Sequence, residues 1–229
     1  RRVVVDSKFP SKNDDFDTGA WEYLLNQLAH ELGIFVPAAM GRRFSQQQHT
    51  YLTQRFDRLA DNRRLHFASA MTLLGYKDGY DHHEGGSYLE LVELIETYGA
   101  EAGSDVRELW RRVVFSVLVS NTDDHLRNHG FLLTPSGWRL SPAYDLNPNP
   151  KSTGLSLNIS AKENSLEVAL CLEVAPLFRW KESEARIFIR QAAQIVSQWK
   201  ARAKSLSIPP AEQALMTPAF VQAEKASLL

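Results

Sequence analysis

Hydrophobic residues change their spacing several times along the chain, and each change predicts an element. The opening "RRVVVDSKFP" is β-branched and closed by a proline, which predicts a strand ending at Lys8. "SKNDDFDTG" is polar and predicts a loop. From Ala20 the period becomes helical: Trp21, Leu24, Leu25, Leu28 and Leu32 share one face, and Gly33 is a natural stop. Residues 33–64 suggest two or three short strands, with "YLTQRF" the clearest.

Beyond this the pattern is mostly helical. "HFASAMTLLG" predicts a short apolar helix and "YKDGYDHHEGG" a loop. "SYLELVELIETYG" carries Ser87 as an N-cap, Glu90 three residues on, and apolar Leu89, Val92 and Ile95. "SDVRELWRRVVFSVLVS" predicts a long helix running from amphipathic to buried. "GFLLTPSGWRLSPAYDLNP" predicts a β-hairpin turning at Pro135-Ser136-Gly137. "SEARIFIRQAAQIVSQWKARAKSL" predicts one further helix, with Ile187, Ala192, Ile195 and Trp199 in the core, before a last short helix and a tail. The pattern is α+β and predominantly α. A small mixed N-terminal lobe spans residues 1–60 and a larger helical lobe spans 61–229.

Composition narrows the function classes. The chain has 229 residues, enough for a core that is stable without staples, and 44% apolar and 23% charged residues are those of an ordinary globular protein. A net charge of −1 gives no sign of an overall nucleic-acid-binding surface. The one cysteine, Cys171, excludes an intramolecular disulfide, fits a reducing compartment, and in "LEVALCLEVA" reads as a buried, inert thiol. No apolar run approaches the ~18 residues of a membrane span and no signal peptide is visible, so the expectation is a cytoplasmic protein without a membrane partner. The chain opens without a Met, so the expectation is a fragment or a trimmed product.

The chemistry concentrates in "SNTDDHLRNHGFLL", between the long helix and the hairpin. Asp and Asn are common in turns because their side chains bond local backbone, so a plain turn is one reading. Spacing supports another. Asp123 lies five residues before Asn128, the Asp-x-x-x-x-Asn interval of a protein-kinase catalytic loop. Phosphoryl transfer needs a carboxylate for the attacking hydroxyl and hard oxygen ligands for Mg²⁺. Asp145, 17 residues after Asn128, can return to the loop across the hairpin and supply the second metal ligand. Lys8, at a strand end, is placed like the lysine that holds the nucleotide phosphates, and Glu22 on the first helix like its ion-pair partner. Separately, Lys8 reads as a solvated strand-end lysine and Glu22 as an exposed helix glutamate. Their order along the chain adds the weight.

Taken together, these residues resemble the HipA-like serine/threonine kinases, toxins of bacterial toxin–antitoxin pairs. The resemblance runs through "SKFPSKNDDFDTGAWEYLLNQLAHELGI", "YLTQRFDR", "HFASAMTLLGY", "SNTDDHLRNHGFLL" and "LSPAYDLNPNP" in order. It implies a protein-kinase-like bilobal fold, ATP and Mg²⁺ as cofactors, and an activity that arrests translation and growth. By position it makes Asp123 the catalytic base, Asn128 and Asp145 the Mg²⁺ ligands, and Lys8 the phosphate-binding lysine, with Glu22 its partner. His125 contacts ATP or the transferred phosphoryl group, and Gln54 and Phe56 form the hinge that bonds adenine through backbone groups. The implied partners are a protein substrate such as an aminoacyl-tRNA synthetase, an antitoxin, and DNA only through that antitoxin. No His-Arg-Asp, Asp-Phe-Gly or Gly-rich phosphate loop is present, which predicts an upstream segment or a separate chain supplying the missing part.

Two other readings stay open. His125 and His129 with Asp123 and Asp124 could ligate a transition metal in a hydrolase, while His82 and His83 in a Gly/Asp-rich loop read as solvated. A non-catalytic, pseudokinase-like interaction module is the other. The five-residue interval makes Asp124 a structural neighbour of Asp123 and takes His129 out of the ligand set.

Overall fold

The computed structural model describes residues 4–12, 14–44, 48–59, 61 and 63–227. Strand β1 (Val5–Lys8) begins the described chain; the first three residues of the expected strand lie outside it. Helix α1 (Thr18–Glu31) follows, capped by Asp17, whose carboxylate accepts the Ala20 N–H at 3.2 Å. The same carboxylate pairs with His49 Nδ1 at 2.6 Å, which ties the helix start to the sheet. Gly19 makes that junction possible. A Cβ there would lie 2.3 Å from the His49 carbonyl oxygen. At the other end Gly33 sits at φ 72, with Gly33 N–H on His30 O and Ile34 N–H on Ala29 O, both at 3.0 Å: the paired bonds of a Schellman stop.

Strands β2 (Ala39–Arg43) and β3 (His49–Gln54) complete an antiparallel sheet ordered β1-β3-β2, with Lys8 opposite Tyr51 and Val5 opposite Gln54. The β-branched and aromatic "HTYLTQ" makes the central strand, as its composition favours.

"HFASAMTLLG" is not one helix. It splits into strand β4 (Phe67–Ser69) and helix α2 (Ala70–Leu74). Ser69 ends the strand and caps the helix through Thr72 N–H, and the strand pairs with a partner far ahead in sequence, which local periodicity cannot show. Helix α3 (Tyr88–Tyr98) has the expected capping box at Ser87 and Glu90. Its buried stripe is Tyr88, Leu91, Leu94 and Ile95; Leu89 and Val92 are half-buried at its edge.

Helix α4 (Ala102–Leu118) runs through the core: Val113, Val114, Phe115, Val117 and Leu118 are all buried. Strands β5 (Gly130–Thr134) and β6 (Gly137–Leu140) form the expected hairpin and extend β4 into a second antiparallel sheet, β4-β5-β6. Helix α5 (Val168–Val174) buries Cys171 completely, and burial pushes its thiol up to about 12.

The last long helix predicted is two. Helix α6 (Glu182–Val196) ends at Ser197, and α7 (Trp199–Ser205) begins two residues later with Trp199 buried. The inward stripe of α6 is Ala185, Phe188, Ile189, Ala192, Ala193 and Val196, which leaves Ile187 exposed. Helices α8 (Pro210–Met216) and α9 (Val221–Ala226) close the chain. Trp21 of α1 packs against Trp199 (5.9 Å) and Phe220 (6.1 Å), so the core runs unbroken from the first helix to the last. The fold is α+β and predominantly α. No described helix is long and apolar enough to cross a membrane.

Candidate active site

The site starts where α4 stops. Ser120 takes the left-handed conformation (φ 49), its N–H bonding Val117 O while Asn121 N–H bonds Ser116 O at 2.8 Å. This is the Schellman geometry, with serine where glycine is usual, at a cost of about 1–2 kcal/mol. The stop turns Asn121 toward the segment after β6, where its Oδ1 accepts the Asn147 N–H at 3.0 Å.

That segment is stitched along the loop. Asn149 N–H bonds Ser120 O (2.9 Å), Asn149 Nδ2 bonds Thr122 Oγ1 (2.9 Å), Ser156 N–H bonds Thr122 O (3.0 Å) and Tyr144 OH bonds Arg127 O (2.6 Å). Asp145 is therefore held beside the loop, itself left-handed (φ 59), with Asn147 Nδ2 on its Oδ1 at 2.9 Å. A strained carboxylate held by its neighbours is the kind of feature found at functional sites.

Within the loop, Asp123 presents an exposed side chain. Its carbonyl accepts the His125 N–H and the Asn128 Nδ2, each at 3.0 Å. The second bond fixes the buried Asn128 amide by its nitrogen. Asp124 points the other way, into the core. It accepts bonds from Tyr88 OH (2.7 Å) and Ser116 Oγ (3.2 Å), and His129 Nε2 lies 3.1 Å from its Oδ1 at an angle poor for a hydrogen bond. Burial pushes the Asp124 carboxyl up, but His129 and the two hydroxyls outweigh it and hold it below its ordinary range.

Lys8 projects from the end of β1 onto Glu22, with Nζ 3.0 and 2.9 Å from the two carboxylate oxygens, and also contacts Asp145. Burial works against its charge, yet the two carboxylates outweigh burial and raise its pKa. Glu22 is buried, and burial lifts its carboxyl to about 7 against the pull of Lys8.

These three residues stand at one end of a cavity of about 300 Å³. Its other walls carry Pro37 and the aromatic side chains Tyr51, Phe56, Phe67 and Tyr144, beside Thr53, Gln54 and the ion-paired Asp6, Arg55 and Asp57. Phe56 stacks on Tyr144 (centroids 5.7 Å, 29°) and meets Phe67 at 5.9 Å. Gln54 lines the cavity, and its backbone N–H is taken up by Ala38 O at 2.8 Å. A lysine held between two carboxylates and a set of aromatic walls in one cavity suit a molecule with a phosphate chain and a planar ring.

A second cavity of about 190 Å³ lies on the other side of the loop, lined by Asp123, His125, Arg127, Asp78, Asp81 and Tyr80 among others. The structure thus gathers Lys8, Glu22, Gln54, Phe56 and Asp145 on one cavity and Asp123 and His125 on the next, with Asn128 tied to the Asp123 backbone. The hydrolase set does not assemble. Among the described residues, the one group of three metal-capable side chains is Asp81, His82 and His83, and His129 is buried behind Asp124. Asn128 and Asp145 supply the amide and carboxylate oxygens that Mg²⁺ prefers, so the donor set fits a hard cation.

Asn121, Tyr144, Asn147 and Asn149, which build the site, were not singled out by spacing. Their signal was only the density of Asn and Asp in "SNTDDH" and "YDLNPN".

The model of the HipA-like C-terminal domain matches residues 7–205. The chain belongs to this family. A HipA-like relative from Haemophilus influenzae, named "Putative kinase", is 27% identical over 158 residues, covering 62% of this chain and 46% of the relative. "Putative kinase Y4mE" from Sinorhizobium fredii is 25% identical over 146 residues, covering 61% and 33%. This HipA-like chain thus spans less than half the length of these curated relatives. Among solved structures, Shewanella oneidensis HipA, in its complex with HipB and operator DNA, superposes with a TM-score of 0.76 at 19% identity, covering 97% of this chain and 57% of that one. The Helicobacter pylori proinflammatory kinase CtkA superposes at 0.58 with 13% identity, covering 98% and 92%. At such identities the likeness is one of fold.

Proposed function

We propose that this chain is the catalytic part of an ATP- and Mg²⁺-dependent protein kinase acting on serine or threonine, the toxin of a bacterial toxin–antitoxin pair. The observation that carries this reading is the Lys8–Glu22–Asp145 cluster at the polar end of an aromatic-walled cavity. Residues 1–60 provide the lysine and the ring-binding wall, and residues 61–229 the loop and the second carboxylate.

In this reading Lys8, oriented by Glu22, meets the nucleotide phosphates. Asn128 and Asp145 hold Mg²⁺, which neutralises phosphate charge when bound. Phe56, Phe67 and Tyr144 hold the adenine ring, with the Gln54 carbonyl as acceptor. Asp123, exposed toward the second cavity, receives the proton of an acceptor hydroxyl as its oxygen bonds to phosphorus and the nucleotide leaves as the diphosphate. His125 stands two residues on and meets the transferred group.

The toxin role, an antitoxin partner that carries any DNA contact, and a translation component such as an aminoacyl-tRNA synthetase as substrate rest on family membership and on the likeness in fold to Shewanella HipA in its complex with HipB and operator DNA. The test is to incubate the full-length protein with cell extract and labelled ATP and to map phosphorylated residues by mass spectrometry. Label on serine or threonine of a protein, absent with Asp123→Asn, supports the reading. No transfer by the wild type argues against it.

A further inference from the structure

We propose that Asp81, His82 and His83 form a binding site for a divalent transition-metal ion of the zinc class, at the rim of the smaller cavity. One ligand atom from each residue lies within 4.8 Å of the other two. His82 Nδ1 and Asp81 Oδ1 are 3.7 Å apart. That is too long for a hydrogen bond and close to the spacing of about 3.4 Å between ligands of a tetrahedral zinc ion with bonds of about 2.0–2.1 Å.

His82 Nδ1 is buried and has no hydrogen-bond partner. An enclosed, unpaired nitrogen is costly, and a metal ion at this point would satisfy it. His83 is exposed and its ring packs on that of His82 with centroids 3.9 Å apart, so a rotation of the His83 ring is what brings its nitrogen to an ion held by Asp81 and His82.

The loop backbone is already fixed. His82 N–H bonds Ser156 O at 2.9 Å, Asn158 Nδ2 bonds His82 O at 3.1 Å, and Gly86 N–H bonds Asp81 O at 2.7 Å. His83 N–H bonds Asp81 Oδ1 at 2.7 Å and aims the carboxylate. Two imidazoles and one carboxylate select zinc, nickel or copper over Mg²⁺, which prefers oxygen and dehydrates reluctantly. The site is therefore distinct in metal preference from the oxygen pair Asn128 and Asp145. Three protein ligands leave a fourth position for water or another donor. Asp81 also lines the cavity that holds Asp123 and His125, so a bound ion adds positive charge beside them. This assignment does not depend on the kinase reading.

The test is a zinc titration of tag-free, full-length protein against a chromophoric chelator, in excess Mg²⁺. One zinc equivalent is expected to bind. Its affinity is expected to fall at least about tenfold in both His82→Ala and His83→Ala, since even outer partners of metal ligands are worth 10–100-fold. Cobalt in place of zinc should give visible absorption in the wild type that His83→Ala abolishes. Should His82→Ala fail to fold, the exposed His83→Ala decides alone. No zinc bound by the wild type, or unchanged affinity in either folded variant, overturns the assignment.

Discussion

Lys8 and Asp145 form an ion pair at the polar end of the larger cavity, joining the small sheet to the segment after the hairpin. Replacing Lys8 by methionine removes the cation proposed to meet the nucleotide phosphates. Glu22 loses its partner as well, but its carboxyl, already raised to about 7, takes up a proton more readily and avoids a bare buried charge. The variant should stay folded. Mg²⁺-ATP at a hundredfold excess over its dissociation constant would stabilise the wild type by about 2.7 kcal/mol, and that thermal shift should vanish in Lys8→Met.

Asp123→Asn should leave stability unchanged, because the side chain is exposed and its backbone carbonyl keeps both bonds. Phosphoryl transfer should fall by about 10²–10⁴ as the base is lost. A quenched-flow or gel assay with labelled ATP checks this. Wild-type rates would move the base elsewhere.

How far the sequence reached differs from element to element. Helix α1, its Gly33 stop, the α3 capping box and the hairpin were legible because each is set by residues within a few positions. Strand β4 was not, because Phe67–Ser69 becomes a strand by pairing with Gly130–Leu132. The break between α6 and α7 follows from seating Trp199 against Phe220, a contact at 4.3 Å that periodicity does not encode. In the candidate site, Asp123 and Asn128 are proposed from their interval, which is local to one loop. The asparagines that bind Asp145 to the loop were hidden, since an Asn that bonds distant backbone looks like any turn Asn. The inward course of Asp124 depends on Tyr88, which is remote in sequence.

Asp124 gives a pH prediction. Its folded-state pKa lies below its ordinary 3.8, so its ionisation favours folding. That contribution is present above about pH 4 and lost as pH falls through the folded value. Asp124→Asn should lower stability at neutral pH by about 1–3 kcal/mol, since the hydroxyls of Tyr88 and Ser116 lose a charged acceptor. The gap in unfolding midpoint between wild type and variant should hold from about pH 6 down to about pH 4 and narrow below that, as the carboxylate takes up its proton.

Gly19→Ala tests the junction between α1 and the sheet. The added Cβ would meet the His49 carbonyl at 2.3 Å, so helix or strand must shift, at about 1–3 kcal/mol. Because α1 carries Glu22, nucleotide binding should weaken along with stability. Chemical denaturation and an ATP titration read the two effects.

Phe56→Ala removes the ring stacked on Tyr144 from the cavity wall. Aromatic pairs are worth about 0.5–1.5 kcal/mol beyond their area, so ATP affinity should fall up to about tenfold, with less effect on binding of inorganic triphosphate. Competition binding with both ligands separates ring recognition from phosphate recognition.

In the proposed function Asp145 helps hold a Mg²⁺-nucleotide in the larger cavity. Asp145→Asn is the sharpest probe, because asparagine tolerates the left-handed backbone that Asp145 adopts and only the charge is lost. Isothermal titration of the full-length protein with ATP, with and without Mg²⁺, should show wild-type binding that requires Mg²⁺ and is lost in Asp145→Asn. Equal binding with and without Mg²⁺, or wild-type affinity in Asp145→Asn, would contradict the account.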